Sequence, residues 1–164
     1  AVDLSSGIIR TVAGNGIKGK PINGKPALGQ PLMDPRACVM DDAGNLYVLE
    51  RNGHALRVVR PNGKIYTLAG TGKEGRKDGP AMQATFNGPK HLCFDAKGRI
   101  IIADDNNHLI RLYDPESKSV STILGGQAMP KAVLDRPHGV ALGPDGSLWV
   151  CDSGNDRILK LRNY

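Results

Sequence analysis

One stretch of the sequence, RPHGVALGPDGSLWVCDSGNDRI from Arg136 to Ile158, holds three residue types that could do chemistry together. His138 could act as a general base, Cys151 as a nucleophile and Asp152 as the carboxylate that orients the imidazole. Such catalysis needs these groups within hydrogen-bonding reach of one another. Whether they meet depends on the strands and turns that carry them.

The pattern of this stretch occurs three times in the chain. Each copy has a proline, a six-residue apolar run, a glycine turn, a second strand, a polar turn and a third strand. The anchoring prolines are Pro35, Pro89 and Pro137. The second strands end in a carboxylate at Glu50, Asp104 and Asp152. Because a single active site has no use for three copies, we interpret these as structural turn carboxylates that accept backbone N–H bonds.

The turns predict a hairpin at the start of every copy. Gly44, Gly98 and Gly146 each stand nine residues after the anchoring proline, where a tight turn requires a positive φ. A fourth strand follows the first two copies, so that each unit has four short strands in about 50 residues, as in a propeller blade. The sequence therefore predicts one all-β domain over 1–164, with antiparallel blades at about 32–70, 86–125 and 134–164.

The N-terminal segment supplies a strand that has no blade in front of it. GIIRTVAG, residues 7–14, matches GKIYTLAG, residues 63–70, at five of eight positions, whereas the third unit ends after its third strand. Since an unpaired edge strand is a liability, we expect strand 7–14 to complete the third blade.

These motifs resemble the NHL-repeat β-propellers. The resemblance rests on P-x-[GAH]-[VLC] at each blade start, on ADDNNHLIRLY and CDSGNDRILKL, and on the strand TLAG. NHL propellers usually have six blades, so the resemblance implies that three blades are half of a ring. A lone half would expose broad apolar faces. We expect either a two-fold homodimer with six blades or a piece of a longer protein, and we favour the homodimer.

The residue after each anchoring proline should lie at the mouth of the central channel. These positions hold Arg36, Lys90 and His138. In a six-bladed dimer each would appear twice, and such a cationic ring attracts anions. We therefore predict a non-catalytic binding or scaffold module whose partners are a second copy of itself and a small anion or protein ligand.

Two other functions remain open on the sequence alone. The first is a metal-dependent propeller enzyme of the zinc lyase or hydrolase type with His138 in its channel. Because Arg36 and Lys90 would repel a metal ion, we predict no metal and no catalytic residue. The second is binding of single-stranded RNA through lysine-rich loops, which the net charge of +6 permits. Aromatic residues for base stacking are scarce, so nucleic acid is not expected.

Two glycine motifs and three cysteines have simpler interpretations. GNGIKG at 14–19 and GTGKEG at 70–75 match G-x-G-x-x-G, but no helix can follow either, so no nucleotide or other cofactor is predicted. Cys38, Cys93 and Cys151 lack C-x-x-C spacing and stand in apolar runs, which predicts buried thiols without a disulfide. Since no apolar run reaches 18 residues, no membrane partner is predicted.

Overall fold

The computed structural model describes residues 2–126 and 133–162, which form antiparallel β-sheets. The strands are β1 Val2–Asp3, β2 Ile8–Ile9, β3 Pro35–Met40, β4 Leu46–Glu50, β5 Ala55–Val59, β6 Ile65–Ala69, β7 Gly79–Pro80, β8 His91–Phe94, β9 Ile100–Asp104, β10 Leu109–Asp114, β11 Ser119–Leu124, β12 Pro137–Leu142, β13 Leu148–Asp152 and β14 Arg157–Leu161. Short 3-10 turns lie at Ala27–Gly29, Asp105–Asn107 and Ser153–Asn155. In the described part of the chain, no helix is long and apolar enough to cross a bilayer.

Three main sheets follow one another along the chain. The first sheet has the order β3-β4-β5-β6, the second β8-β9-β10-β11 with β7 at its edge, and the third β12-β13-β14. The predicted all-β fold of antiparallel four-stranded sheets is thus confirmed for the first two. The predicted end positions 1, 163 and 164 lie outside the described residues.

Each sheet begins with the hairpin that the glycine turns predict. Gly44 has φ 79°, and Gly98 and Gly146 both have φ 74°, values that residues with a Cβ rarely adopt. The hairpins pair β3 with β4, β8 with β9 and β12 with β13. The glycine spacing therefore fixes where each sheet starts.

The sheets pack face to face, and the second sheet lies between the other two. Leu49 and Leu56 of the first sheet share a core with Leu92 of the second. On the opposite face, Ile101 of the second sheet shares a core with Val140 of the third. Because successive strand residues point to opposite faces, a strand covered on both sides is apolar on both, as β9 is from Ile100 to Ala103.

The outward faces of the first and third sheets lie at the two ends of this stack. Trp149 and Ile158 on the third sheet are 40% and 61% exposed, and Met40 on the first sheet is 61% exposed. Cys38 and Cys151 lie on these same faces and are exposed, while Cys93 is half-buried. The prediction of three buried thiols is therefore wrong for two of them, because their strands have no covering sheet within the chain.

The N-terminal strand pairs locally in the single chain. Ile8–Ile9 pairs with Val2–Asp3, and β14 is the last strand of the third sheet among the described residues. Within residues 7–14, regular strand is limited to Ile8–Ile9. Completion of the third sheet by segment 7–14 of another copy stays a prediction.

Residues 14–32 fold like the loop that joins the first two sheets. Gly14 N–H donates to Ala27 O at 3.0 Å, and Gly70 N–H donates to Ala81 O at 2.9 Å. Likewise, Thr67 N–H donates to Asn23 Oδ1 at 2.8 Å, as Thr122 N–H donates to Asp78 Oδ2 at 3.0 Å. Segment 14–32 therefore has the geometry of an inter-sheet loop, and its Ala27 packs on part of the outward face of the first sheet, against Val59 and Ile65.

Candidate functional site

The three residues predicted at the channel mouth lie at one end of three neighbouring strands. β8 lies beside both β3 and β12, so these first strands form the inner row of the stack. Arg36 and His138 are the second residues of β3 and β12, and Lys90 directly precedes β8. The fold thus places all three at the same end of the inner row.

Two of the three meet at a buried carboxylate. The Lys90 ammonium donates to Asp105 Oδ2 at 3.0 Å, and its Nζ lies 2.6 Å from His138 Nε2. Arg136 Nη2 lies 3.2 Å from the same Asp105 oxygen. Asp105 has no exposed surface. We call Lys90, Asp105, Arg136 and His138 the Asp105 cluster.

Proton positions in the cluster follow from the donors. An ammonium has no lone pair, so in this contact the Lys90 ammonium is the donor and His138 Nε2 the acceptor. Nε2 also lies 3.2 Å from Asp105 Oδ1, which would become an ion pair if the ring were protonated. Burial opposes ionisation of Asp105, but the hydrogen bonds from Arg136 and Lys90 outweigh it and lower its pKa. Two cations around one ionised carboxylate leave the cluster net positive.

Arg36 stands apart from the Asp105 cluster. It is exposed, and the described residues offer it no ion pair. The position of Asp105 in the second sheet is held by Arg51 in the first and Ser153 in the third. The Arg51 Nε is buried and lacks a hydrogen-bond partner among the described residues. Among the three main sheets, the second therefore has a cation-binding carboxylate at this repeated position.

The sequence did not reveal Asp105 or Arg136 as site residues. Asp105 directly follows Asp104. The repeated carboxylate is Asp104, so the repeat pattern did not indicate a role for Asp105. Arg136 precedes the anchoring Pro137 and has φ 48°, in the left-handed region. The available signal was that the position after the carboxylate differs in every repeat, as Arg51, Asp105 and Ser153.

The three repeated carboxylates make the contacts of structural braces. Glu50, Asp104 and Asp152 have no exposed surface. Each accepts a backbone N–H from the loop that enters its own sheet; the donors are Met33, Asn87 and Asp135, each 17 residues earlier, at 2.7–2.9 Å. We expected the backbone donors in the turn after each carboxylate. They lie in the loop before the sheet, so each carboxylate fixes this loop to its sheet.

An arginine on the third strand completes each brace. Arg57 Nε donates to Glu50 at 2.9 Å, Arg111 Nη1 to Asp104 at 2.8 Å, and Arg157 Nε to Asp152 at 2.8 Å. The side chains of the first two arginines are buried, whereas that of Arg157 is 46% exposed. His138 contacts Lys90 and Asp105, so the described side chains of His138, Cys151 and Asp152 are not arranged as a catalytic triad.

Asp104 lies in the most buried of these braces. Burial raises its pKa to about 6, although hydrogen bonds from Asn107 and the Asn87 backbone and the charge of Arg111 act in the opposite direction. The carboxyl is ionised at neutral pH, which fits the donors that surround it. We attribute no proton transfer to this group.

The other three histidines connect neighbouring sheets. His54 Nδ1 accepts the Gly88 N–H at 3.2 Å, and His108 Nδ1 accepts the Arg136 N–H at 3.1 Å. His91 Nδ1 accepts the Val140 N–H at 3.4 Å. Among the described residues, no group of three or more His, Cys, Asp or Glu side chains is arranged to hold a metal ion.

The basic loops lie at the surface. Six basic residues of the lysine-rich loops are exposed: Lys18, Lys20, Lys25, Lys73, Arg76 and Lys77. The two G-x-G-x-x-G motifs lie in these loops, and no α-helix follows either within residues 2–126.

Comparison with known proteins bears on this arrangement. A family model described as NHL repeat matches residues 134–161. Human NHL repeat-containing protein 2 is 32% identical over 148 residues, which cover 79% of this chain. Mouse NHL-repeat-containing protein 4 is 37% identical over 79 residues, 48% of this chain and 52% of that protein.

The chain belongs to the NHL-repeat family. This NHL-repeat chain spans 20% of the length of human NHL repeat-containing protein 2. The resemblance inferred from the sequence motifs is thus confirmed.

Solved structures show the same fold. An auxiliary nutrient binding protein from Bacteroides ovatus matches with a TM-score of 0.68 at 19% identity, over 83% of this chain and 39% of that chain. Virginiamycin B lyase from Staphylococcus aureus matches with a TM-score of 0.59 at 13% identity, over 88% of this chain and 42% of that chain. At these identities the likeness shows a propeller-like fold alone.

Proposed function

We propose that this NHL-repeat chain is a non-catalytic binding module, which closes into a six-bladed ring with a second copy of itself and binds small anions at the ring mouth. The observation that carries closure is that segment 14–32 already has the geometry of loop 70–88. By this correspondence residues 8–13 would align with β6, an outermost strand, and β14 is the strand that they would pair with in another copy.

The exposed end faces support the same closure. Ile158, 61% exposed, aligns with Leu56 and Ile110, which are fully buried at the internal sheet junctions. At the other end, a groove of about 600 Å³ lies between the N-terminal segment and the loop before the first sheet, with Pro35 at its edge. Burying an exposed Ile-sized side chain contributes about 1.5–3 kcal/mol. A second copy that presents its third sheet to the outward face of the first sheet would cover both faces.

Anion binding rests on the Asp105 cluster and Arg36. In a closed ring of two copies, these groups would appear twice around one mouth, and the cations outnumber the carboxylates. Cationic groups in a narrow opening with low-dielectric walls focus the field that attracts anions. Asp105 fixes Lys90 and Arg136 in place, which lowers the ordering cost of binding.

Closure is tested by the mass of the protein in solution. Size-exclusion chromatography with light scattering at micromolar concentration should give twice the chain mass. Ile158→Lys should give the mass of one chain, while the charge-matched control Ala96→Lys, at an exposed hairpin turn, should not change the dimer. A monomeric parent protein would overturn the homodimer.

Anion binding is tested by titration with inorganic phosphate, followed by backbone NMR shifts. Shifts should centre on Lys90, Arg136 and His138 and should weaken with added NaCl. The double variant Arg36→Ala/Lys90→Ala should lose them, whereas Lys97→Ala in the exposed hairpin turn should keep them. Unchanged phosphate shifts in the double variant would overturn this part of the proposal.

A further inference from the structure

Two exposed cysteines lie on opposite ends of the stack of sheets. Cys38 is on β3 and faces away from the second sheet, as its alternation with the inward Ala37 and Val39 requires. Cys151 is on β13, on the outward face of the third sheet. Both are exposed in the single chain.

The repeat shows which residues occupy the two cysteine positions at the internal junctions. Between the first and second sheets they are Leu49, in the position of Cys151, and Leu92, in the position of Cys38. Both belong to one core cluster, and their exposed fractions are 0% and 1%.

The second junction repeats this arrangement. Ala103 takes the position of Cys151 and Val140 that of Cys38, and the two share the core between the second and third sheets. Their exposed fractions are 0% and 3%. At both internal junctions the two positions therefore belong to one buried cluster.

The local geometry of the third sheet directs the Cys151 thiol toward the closing junction. In the second sheet, His91 pairs with Ala103 and its ring reaches across to the backbone of Val140 at 3.4 Å. The corresponding pair in the third sheet is Gly139 with Cys151. A Cβ at Gly139 would lie 3.1 Å from the Cys151 Sγ, so the sulfur occupies the space on this face where a side chain at position 139 would begin.

We infer that ring closure places Cys151 of one copy against Cys38 of the other at both junctions, so that a mild oxidant can link the copies by two disulfides. The inference rests on the closure proposed above. In each reaction the two thiols form one S–S bond and release two protons and two electrons. With diamide, the N=N bond of the oxidant takes up both and becomes a hydrazine.

The third cysteine serves as an internal reference. Cys93 lies in the core between the second and third sheets, and burial raises the pKa of its thiol to about 11, with a further contribution from Asp95. A thiol with so little thiolate reacts slowly. Cys93→Ser should therefore leave cross-linking unchanged.

The test is diamide treatment of the whole chain, followed by non-reducing electrophoresis and mass spectrometry of the linked peptides. The parent protein and Cys93→Ser should give a covalent dimer with a Cys38–Cys151 peptide. Cys38→Ser and Cys151→Ser should each fall to background alone. A mixture of these two variants should regain linkage, because one junction of each mixed ring then holds both cysteines.

The outcomes separate this inference from the proposed function. Light scattering of the untreated protein reports closure independently of the thiols. A dimer without the Cys38–Cys151 peptide would overturn the cysteine pairing and leave closure standing. Cys38–Cys38 or Cys151–Cys151 peptides in its place would overturn both, because they would join like sheets instead of the third sheet to the first. A monomer without cross-links would overturn both.

Discussion

Asp105 determines how the cations around it are arranged. Lys90, Arg136 and His138 come from two segments of the chain and converge on its buried carboxylate. In the first sheet the same position is Arg51, which adds a cation instead of holding one. One change of residue type at a repeated position thus creates an ordered polar cluster in one sheet and not in its neighbour.

Substitution of Asp104 tests how much a single carboxylate brace contributes to the stability of the fold. Asp104→Ala should lower the free energy of unfolding by about 1–3 kcal/mol, because it removes one partner from the buried Arg111 guanidinium, which keeps its ion pair with Asp78. Asp152→Ala should cost less, since Arg157 is 46% exposed and can be hydrated. Urea denaturation of both variants checks the difference, and equal losses would contradict the role assigned to burial.

The elements could be predicted from the sequence because their signals are local. The glycines that turn each hairpin and the apolar runs that follow stand at fixed spacing, so sheet order needed no distant contact. The Asp105 cluster could not be predicted, because Asp105 and Arg136 are 31 residues apart and meet only when two sheets pack. The exposure of Cys38 and Cys151 was missed for a related reason: sequence alternation does not show which face lacks a neighbour.

The junction between the first and second sheets should respond to pH through His54. Partial burial lowers the pKa of His54, an effect that Glu74 partly offsets. The unfolded chain therefore takes up this proton at higher pH than the folded chain does. The bond from Gly88 N–H to the neutral ring contributes fully above the unfolded pKa of about 6.5 and is lost as the pH falls below it.

His54→Asn provides the measurement, since Asn tolerates the left-handed conformation of this residue, φ 45°. Between about pH 7.5 and about pH 5.5 the parent protein should lose more unfolding free energy than the variant does. Ala96→Asn, at the exposed hairpin turn, is the control, because it introduces the same side chain without removing a histidine. Identical pH slopes for the parent and His54→Asn would rule out this junction as the pH-sensitive element.

At the scale of the whole molecule, stability should depend on protein concentration. A ring of two copies unfolds to separate chains, so its thermal midpoint should rise by about 2–4 °C for each tenfold increase in concentration. Ile158→Lys, which places a charge on the outward face of the third sheet, should show a constant and lower midpoint. Calorimetry over a hundredfold range checks this, and a constant midpoint for the parent would argue against closure by copies.

The short span of the carboxylate braces has a consequence for how the protein folds. Each brace joins residues 17 positions apart, so the chain that it closes into a loop is short and the entropy cost of closing it is small. Every sheet can therefore form together with its own entering loop before it meets a neighbour. Folding should proceed by addition of sheets to a first nucleus, as in other proteins made of stacked repeats, and early steps should be insensitive to the packing of distant sheets.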